Sequence, residues 1–312
     1  MKILYLIQSH KNPKQIYRLV RTLKKSSPKS FVLISHDVNG CYLDPTPLQR
    51  LPEVKVIRGL GGRGDFSIVQ GYLNALDWLF NHNVQFDWLF NLSGQDYPIQ
   101  PLPKIEQFLA ETKYDGFIRY CNVLTDSKQN PWGSREGRDR YLYQYWRSKG
   151  NLSRWQRVLV KLPRMALNNT QNLVRINSSY GLMLGLCANS SPFNNNFICY
   201  AGSYFHIVSR KCVEYLSQFC EQDNYLINYY KKTCIPDESF IQTVLLNSGL
   251  FHFYNDNKRY YNWRETYNGS PRTLTIKNYS EITNSNSFFA RKFDIQQDEK
   301  IIKALEERVI ND

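Results

Sequence analysis

Apolar positions in the first third of the chain fall into short blocks separated by amphipathic stretches. Ile3 to Ile7, Phe31 to Ser35, Val54 to Ile57 and Trp88 to Leu92 are runs of strand length, and a strand buried on both faces reads in this way. Between them, Lys14 to Lys25 and Ser67 to Phe80 carry apolar residues at helical spacing. Such alternation predicts an α/β fold with a Rossmann-like sheet covered by helices. It fades after Val123 and resumes near Tyr200, with a helix expected over Arg210 to Phe219. No repeat, low-complexity tract or linker interrupts the chain, so one compact domain with a middle insertion is expected.

Ligands in open α/β sheets sit beyond the carboxyl ends of the strands. The segment Asn91 to Pro98, NLSGQDYP, stands at such an end. Gly94 permits a sharp turn, Pro98 and Pro101 stop the strand, and Asp96 offers a carboxylate. Asp96 has an equally good structural use as the cap of a helix starting near Pro103. The glycine cluster Gly59 to Gly64 lacks both GxxxxGK[ST] and GxGxxG order, so it reads as a flexible loop feeding a helix capped by Asp65 or Ser67.

Composition narrows the classes. With 312 residues, 42% of them hydrophobic, the chain can bury a large core. No apolar run approaches the roughly 20 residues that span a bilayer, and MKILYLIQSH meets polar residues too early for a signal peptide. Seven cysteines form no CxxC pair, which points to a reducing compartment and no structural zinc. The Asn-x-Ser/Thr sequons, for example at Asn151, Asn177 and Asn268, then carry no meaning, and Asn91 falls in a core motif. The formal charge of +13 favours phosphates, anionic polymers or an acidic membrane face. Arg135 to Arg164 concentrates that charge among Tyr141, Tyr143, Tyr145, Trp146 and Trp155. This composition suits a nucleic-acid surface, an interfacial helix, a sugar platform, or a plain amphipathic helix pair with solvated charges.

Pro236-Asp237-Glu238-Ser239-Phe240 sets two acids before an apolar helix. Capping accounts for Asp237 and leaves Glu238 free to act. Later come Trp263, Ser270 to Leu274 (SPRTL) and Phe288 to Asp294 (FFARKFD). A basic pair wedged between aromatics suits a diphosphate, which Arg grips as a fork and Lys as a point charge.

In order, LSGQDYP, GSYFHIVSR, PDESFIQTVLLNS, YYNWRE with SPRTL, and FARKFD resemble the glycosyltransferase family of the core 2 β-1,6-N-acetylglucosaminyltransferases and peptide O-xylosyltransferases, whose shared region is called the branch domain. The resemblance runs over essentially the whole chain, from about Met1 to about Glu307. It implies a GT-A type fold with a mixed central sheet flanked by helices, a UDP-sugar donor carrying N-acetylglucosamine or xylose, and transfer with inversion. It also implies no metal cofactor, since the family dispenses with Asp-x-Asp, and no two Asp residues here stand two apart. Residue by residue, Glu238 resembles the general base, and Arg272 and Lys292 resemble the cationic pair at the UDP diphosphate. His36 and Asp37 resemble a step near the uridine, where a plain turn is as good a reading. Gln95 and Asp96 are placed beside the donor sugar, and Gly202, Ser203 and Tyr204 on the acceptor side. Trp263 either stacks on a sugar or is buried, the commoner fate of tryptophan.

On this reading residues 1–123 bind the nucleotide sugar, 124–199 form the basic aromatic insertion, and 200–312 supply catalysis and the acceptor side. The acceptor expected is a glycan, peptide or lipid-linked hydroxyl, the setting surface-polysaccharide synthesis. Unlike the anchored, disulfide-bonded animal enzymes, this chain is expected to work in the cytoplasm, with peripheral contact at the inner face of an anionic membrane as a further expectation. A nucleic-acid-binding module would exploit the same charge, but no RNP, KH or helix-turn-helix signature accompanies it, and no nucleic-acid partner is expected. Hydrolysis or retaining transfer through Asp96 and Glu238 is the remaining alternative, separable by product anomeric configuration.

Overall fold

The computed structural model describes residues 1–311 except 129, 149–152, 179, 265, 267 and 268, with the side chains of all but 154, 157 and 311 among them. Ile3–Ser9 lies inside a seven-stranded sheet, parallel to Phe31–His36 on one side and to Trp88–Ser93 on the other. Val54–Arg58 extends the parallel set beyond Phe31–His36. Across Trp88–Ser93 the short strand Ile207–Ser209 runs antiparallel, and Gly116–Phe117 and Phe253–Tyr254 complete the sheet. That single reversal makes the sheet mixed, as expected of the GT-A type.

The apolar blocks are continuous because both faces are covered. Alternate side chains of a strand point to opposite faces. Ile3, Tyr5 and Ile7 therefore enter one core with the helices Pro13–Ser26, Leu102–Glu111 and Glu299–Asn311. Leu4 and Leu6 enter the other with Ser67–Asn81, Arg210–Gln222 and Phe240–Asn247. Each fully buried side chain of this kind contributes about 1.5–3 kcal/mol. The helix Glu299–Asn311 is also held by polar contacts: Glu306 accepts from Arg18 Nε at 2.6 Å and from Tyr97 Oη at 2.8 Å.

Asp96 does not cap a helix. It begins the short strand Asp96–Pro98, paired with Phe289–Arg291, which in turn pairs with Arg259–Tyr261. The helix Leu102–Glu111 starts after Pro101 with no side-chain cap. Asp96 instead lies wholly buried between Arg259 and Arg291, at 3.4 and 3.5 Å. The insertion also holds more than a helix pair. Besides the helices Gly133–Tyr141 and Arg154–Thr170 it folds a three-stranded antiparallel sheet of Tyr143–Arg147, Met183–Cys187 and Val174–Asn177. All seven cysteines are free thiols. No helix among the described residues is long and apolar enough to cross a membrane.

Removing one partner of a buried ion pair leaves a charge without compensation. Arg259→Leu is therefore expected to cost about 3–5 kcal/mol in urea unfolding, whereas Lys303→Ala, which breaks an exposed pair with Glu299 at 3.7 Å, should cost under about 0.5 kcal/mol. Equal small losses would mean that Asp96 is satisfied without Arg259.

Candidate active site

Ser9, His36, Arg58 and Ser93 close the four neighbouring parallel strands and mark one edge of the sheet. His36 is buried there as a structural link: Nε2 donates to the Cys41 carbonyl at 2.8 Å and Nδ1 meets the Ser9 hydroxyl at 2.9 Å. Asp37, one residue on, is half-buried and accepts from the Asn39 amide at 3.0 Å. The Gly59 to Gly64 loop packs directly on it. A Cβ at Gly61 would overlap the Asp37 carboxylate, and at Gly64, with φ +75°, it would overlap the Tyr180 ring. The Gly64 carbonyl accepts from the Ile235 amide at 3.1 Å and from the Arg147 guanidinium. The loop is thus a close-packed junction of sheet, insertion and PDE turn, not the flexible feed expected. The helix Ser67–Asn81 that follows has Phe66 at its N-cap and no side-chain cap, and Asp65 just before it accepts from Ser67 N at 3.0 Å.

Cations gather beside this edge. Arg291 ends the strand Phe289–Arg291, directly opposite Asp96, and its guanidinium lies 4.2 Å from the Phe205 ring centre. Lys292 follows, half-buried, with Nζ donating to Ser270 Oγ at 2.9 Å. Burial, and then the positive charges of Lys11, Arg291 and Arg63, hold the Lys292 ammonium below the usual lysine range. Burial and Lys11 likewise depress His10, against the pull of Asp37. Like charges held together in a recess favour an anion between them. Two residues after the exposed Arg272, Leu274 N donates to the Lys292 carbonyl at 2.8 Å, which brings the SPRTL segment beside this group.

The two acids of the PDE segment differ sharply. They lie in a 3₁₀ turn, Pro236–Glu238, ahead of the helix Phe240–Asn247, and neither caps it. Asp237 points inward with Oδ1 lacking any hydrogen-bond partner. Burial and the neighbouring Glu238 push its carboxyl up to about 7. Glu238 keeps 35% of its side-chain surface, and Oε2 accepts from Arg140 Nη1 at 2.8 Å. Burial raises its pKa, and Arg140 opposes the rise. Arg140 is itself braced 4.4 Å above the Trp132 ring and by Glu136. Glu238 thus gives one oxygen to an arginine and keeps part of its side chain open. Arg63 acts electrostatically on both Glu238 and Lys292, which makes it the residue common to the acid and the cation group.

A family model described as Core-2/I-Branching enzyme matches residues 4–286. The chain belongs to the core-2/I-branching family. Its relatives include a xylosyltransferase, oxt, of Drosophila pseudoobscura pseudoobscura, 23% identical over 94% of this chain and 32% of that protein. The β-glucuronosyltransferase GlcAT14A of Arabidopsis thaliana is 20% identical over 78% of this chain and 47% of that protein. The chain thus spans about a third to a half of the length of these two relatives. Among solved structures, an active-site mutant of LgtC aligns over 94% of this chain and 87% of its own at 10% identity and a TM-score of 0.37. Members of the core-2/I-branching family are glycosyltransferases.

Other expected branching-enzyme residues divide by burial. Gln95 lies at the cleft edge and bonds the cation loop, its carbonyl accepting from Phe293 N at 2.9 Å. Asp96, fully buried, acts through Arg291 and not by touching a sugar. Tyr204 is in the core, its hydroxyl on Gln8 and its ring near Tyr72 and His206, so it cannot line an acceptor surface. Gly202 is required by close packing, because a Cβ would overlap the Arg119 carbonyl. Ser203 Oγ pairs with Tyr261 Oη at 2.8 Å. Trp263 escapes the commoner fate: 53% of it is exposed, tilted beside Tyr261. Sequence reasoning missed Arg63, Arg140 and Lys11, and named Arg291 only as the partner of Lys292 in the basic pair. Arg63 stands alone among glycines, a signal that was present, whereas nothing in the charge run distinguishes Arg140.

The Asp237 carboxyl holds its proton more tightly folded than unfolded, so its burial costs stability progressively from about pH 4 to about pH 7 and fully above. Asp237→Asn should therefore raise the unfolding free energy at pH 8, by up to about 4 kcal/mol, with no gain near pH 4. A loss at pH 8 in thermal melts would show that the charged form is satisfied.

Proposed function

We propose that this chain is an inverting, metal-independent glycosyltransferase that moves a sugar, N-acetylglucosamine or xylose, from a UDP-sugar to a hydroxyl acceptor. The observation that supports the reading is an open carboxylate, Glu238, held by Arg140, together with a group of cations around Lys292 and Arg291, with Arg63 acting on both. In the reaction Glu238 Oε1 takes the acceptor O–H proton as that oxygen bonds to the anomeric carbon. The bond from this carbon to the β-phosphate oxygen breaks, and UDP leaves with the electron pair. Lys292, Arg291 and Arg63 offset the charge that grows on the departing diphosphate. Each such fixed cation is worth on the order of 3–4 kcal/mol by analogy with oxyanion-hole deletions.

Arg140 has a defined part here. Its bond to Oε2 opposes the rise that burial imposes on the Glu238 pKa and fixes that side of the carboxylate, leaving Oε1 for the acceptor. Asp37, packed against Gly61 just beyond the strand Phe31–His36, is the candidate to bond the ribose or base of the nucleotide. The names of the relatives support xylose and place glucuronic acid among the donors to be screened.

Titration calorimetry with UDP in EDTA should show binding, weakened at least about tenfold in Lys292→Ala; a strict need for divalent metal would reject the reading. Glu238→Gln should keep UDP binding and lose about 10² to 10⁴ in kcat. Because Arg140 lowers the Glu238 pKa, Arg140→Gln should move the acid limb of the kcat profile to higher pH. An unmoved limb would deny Glu238 the role of base.

A further inference from the structure

The helix Arg154–Thr170 is amphipathic in a direction the fold does not use. Its polar side meets the small antiparallel sheet: Asn168 Nδ2 donates to the Ile176 carbonyl at 3.0 Å and its Oδ1 accepts from the Ile176 amide at 2.9 Å, while Arg164 donates to Ser178 Oγ at 3.1 Å. At about 100° per residue, Trp155, Val158, Leu159, Leu162 and Met165 fall on the side opposite Val160, Arg164 and Asn168. That apolar side faces solvent, with Trp155 81%, Leu159 73% and Leu162 76% exposed. An apolar stripe of this size on a helix signals a partner.

Charge says which partner. Positions 154, 157 and 161 of the helix are basic in sequence, and Lys161 is exposed beside the stripe, while Arg164 bonds the sheet side. The sequence contains no Asp or Glu between Asp139 and Glu214. A second copy of the chain would bring this purely basic stretch against itself, which like charges oppose. Nucleic acid would use the cations but has no use for a row of aliphatic side chains. An anionic bilayer uses both: the stripe enters the acyl boundary and the cations meet the headgroups.

We propose that the exposed face of the helix Arg154–Thr170 docks this enzyme on an anionic membrane surface. The inference is independent of the donor and of the chemistry proposed for Glu238. Sedimentation with vesicles of phosphatidylcholine alone, and of phosphatidylcholine with phosphatidylglycerol, tests it. The protein should partition onto the anionic vesicles and release as salt rises. Leu159→Asp/Leu162→Asp should reduce partition at least about tenfold, with UDP binding unchanged as the check on folding. Equal partition onto both vesicles, no partition, or unaltered partition of the double variant each overturns the proposal. So does self-association in analytical ultracentrifugation that the double variant abolishes without any vesicle binding.

Discussion

A carboxylate removed from water must be matched by cations, and Asp96 is the place where this chain meets that demand. It lies at the end of the buried strand segment that begins the NLSGQDYP turn, with Arg259 and Arg291 on either side. Arg259 is as buried as Asp96 and bonds the Asn91 carbonyl at 3.2 Å, so it is spent on the core. Arg291 is less enclosed, and Lys292 follows it in the chain. The pairing of Arg291 with Asp96 therefore sets the cation-bearing strand at the carboxyl edge of the sheet. Gln15 reinforces the junction, donating to both the Gly94 and Phe293 carbonyls. Without this anchor the positive group around Lys292 would drift apart under its own repulsion.

The carboxylate side of the cleft is arranged on the opposite principle. Glu238 is left partly open, and its charge is sustained by one arginine that comes from the insertion. Asp237, its sequence neighbour, has no such partner and holds its proton. Burial pushes both carboxyls up, and the two differ in support, because Glu238 accepts a direct bond from Arg140 whereas Asp237 Oδ1 has no hydrogen-bond partner. Such a division of adjacent acids is typical of sites that handle protons.

Much of the fold was readable because buried parallel strands leave an unambiguous trace. Four continuous apolar blocks became four adjacent strands, with the amphipathic stretches Lys14 to Lys25 and Ser67 to Phe80 as covering helices. The insertion was harder to read. Its strand Tyr143–Arg147 alternates aromatic and polar residues, and Tyr143 and Tyr145 are buried in a small satellite core no local pattern announces. Side-chain direction was harder still. Asp237 and Asp96 both suited helix caps by position, yet both turn inward, since the PDE segment forms a 3₁₀ turn and Asp96 starts a strand. Tyr204 and Trp263 were placed together on the acceptor side, and only burial separates them. Arg140 was invisible as a partner of Glu238 because 98 residues separate them in sequence.

The insertion therefore serves the cleft and the surface at once. Arg140 reaches Glu238 from the helix Gly133–Tyr141, and Tyr180 packs on Gly64 beside Arg63. The helix Arg154–Thr170 lies between these two contacts in sequence and makes none of its own with the PDE turn or the cation loop among the described residues. The helix bonds Ile176 of the small sheet, and the strand Tyr143–Arg147 of that sheet bonds the Gly64 carbonyl, so the outward apolar helix is tied to the glycine loop through the sheet. Any surface that holds the helix therefore also fixes the orientation of the cleft toward that surface. An acceptor carried on the same surface would then reach Glu238 from a fixed direction, and that confinement lowers the entropic cost of bringing a hydroxyl to the anomeric carbon.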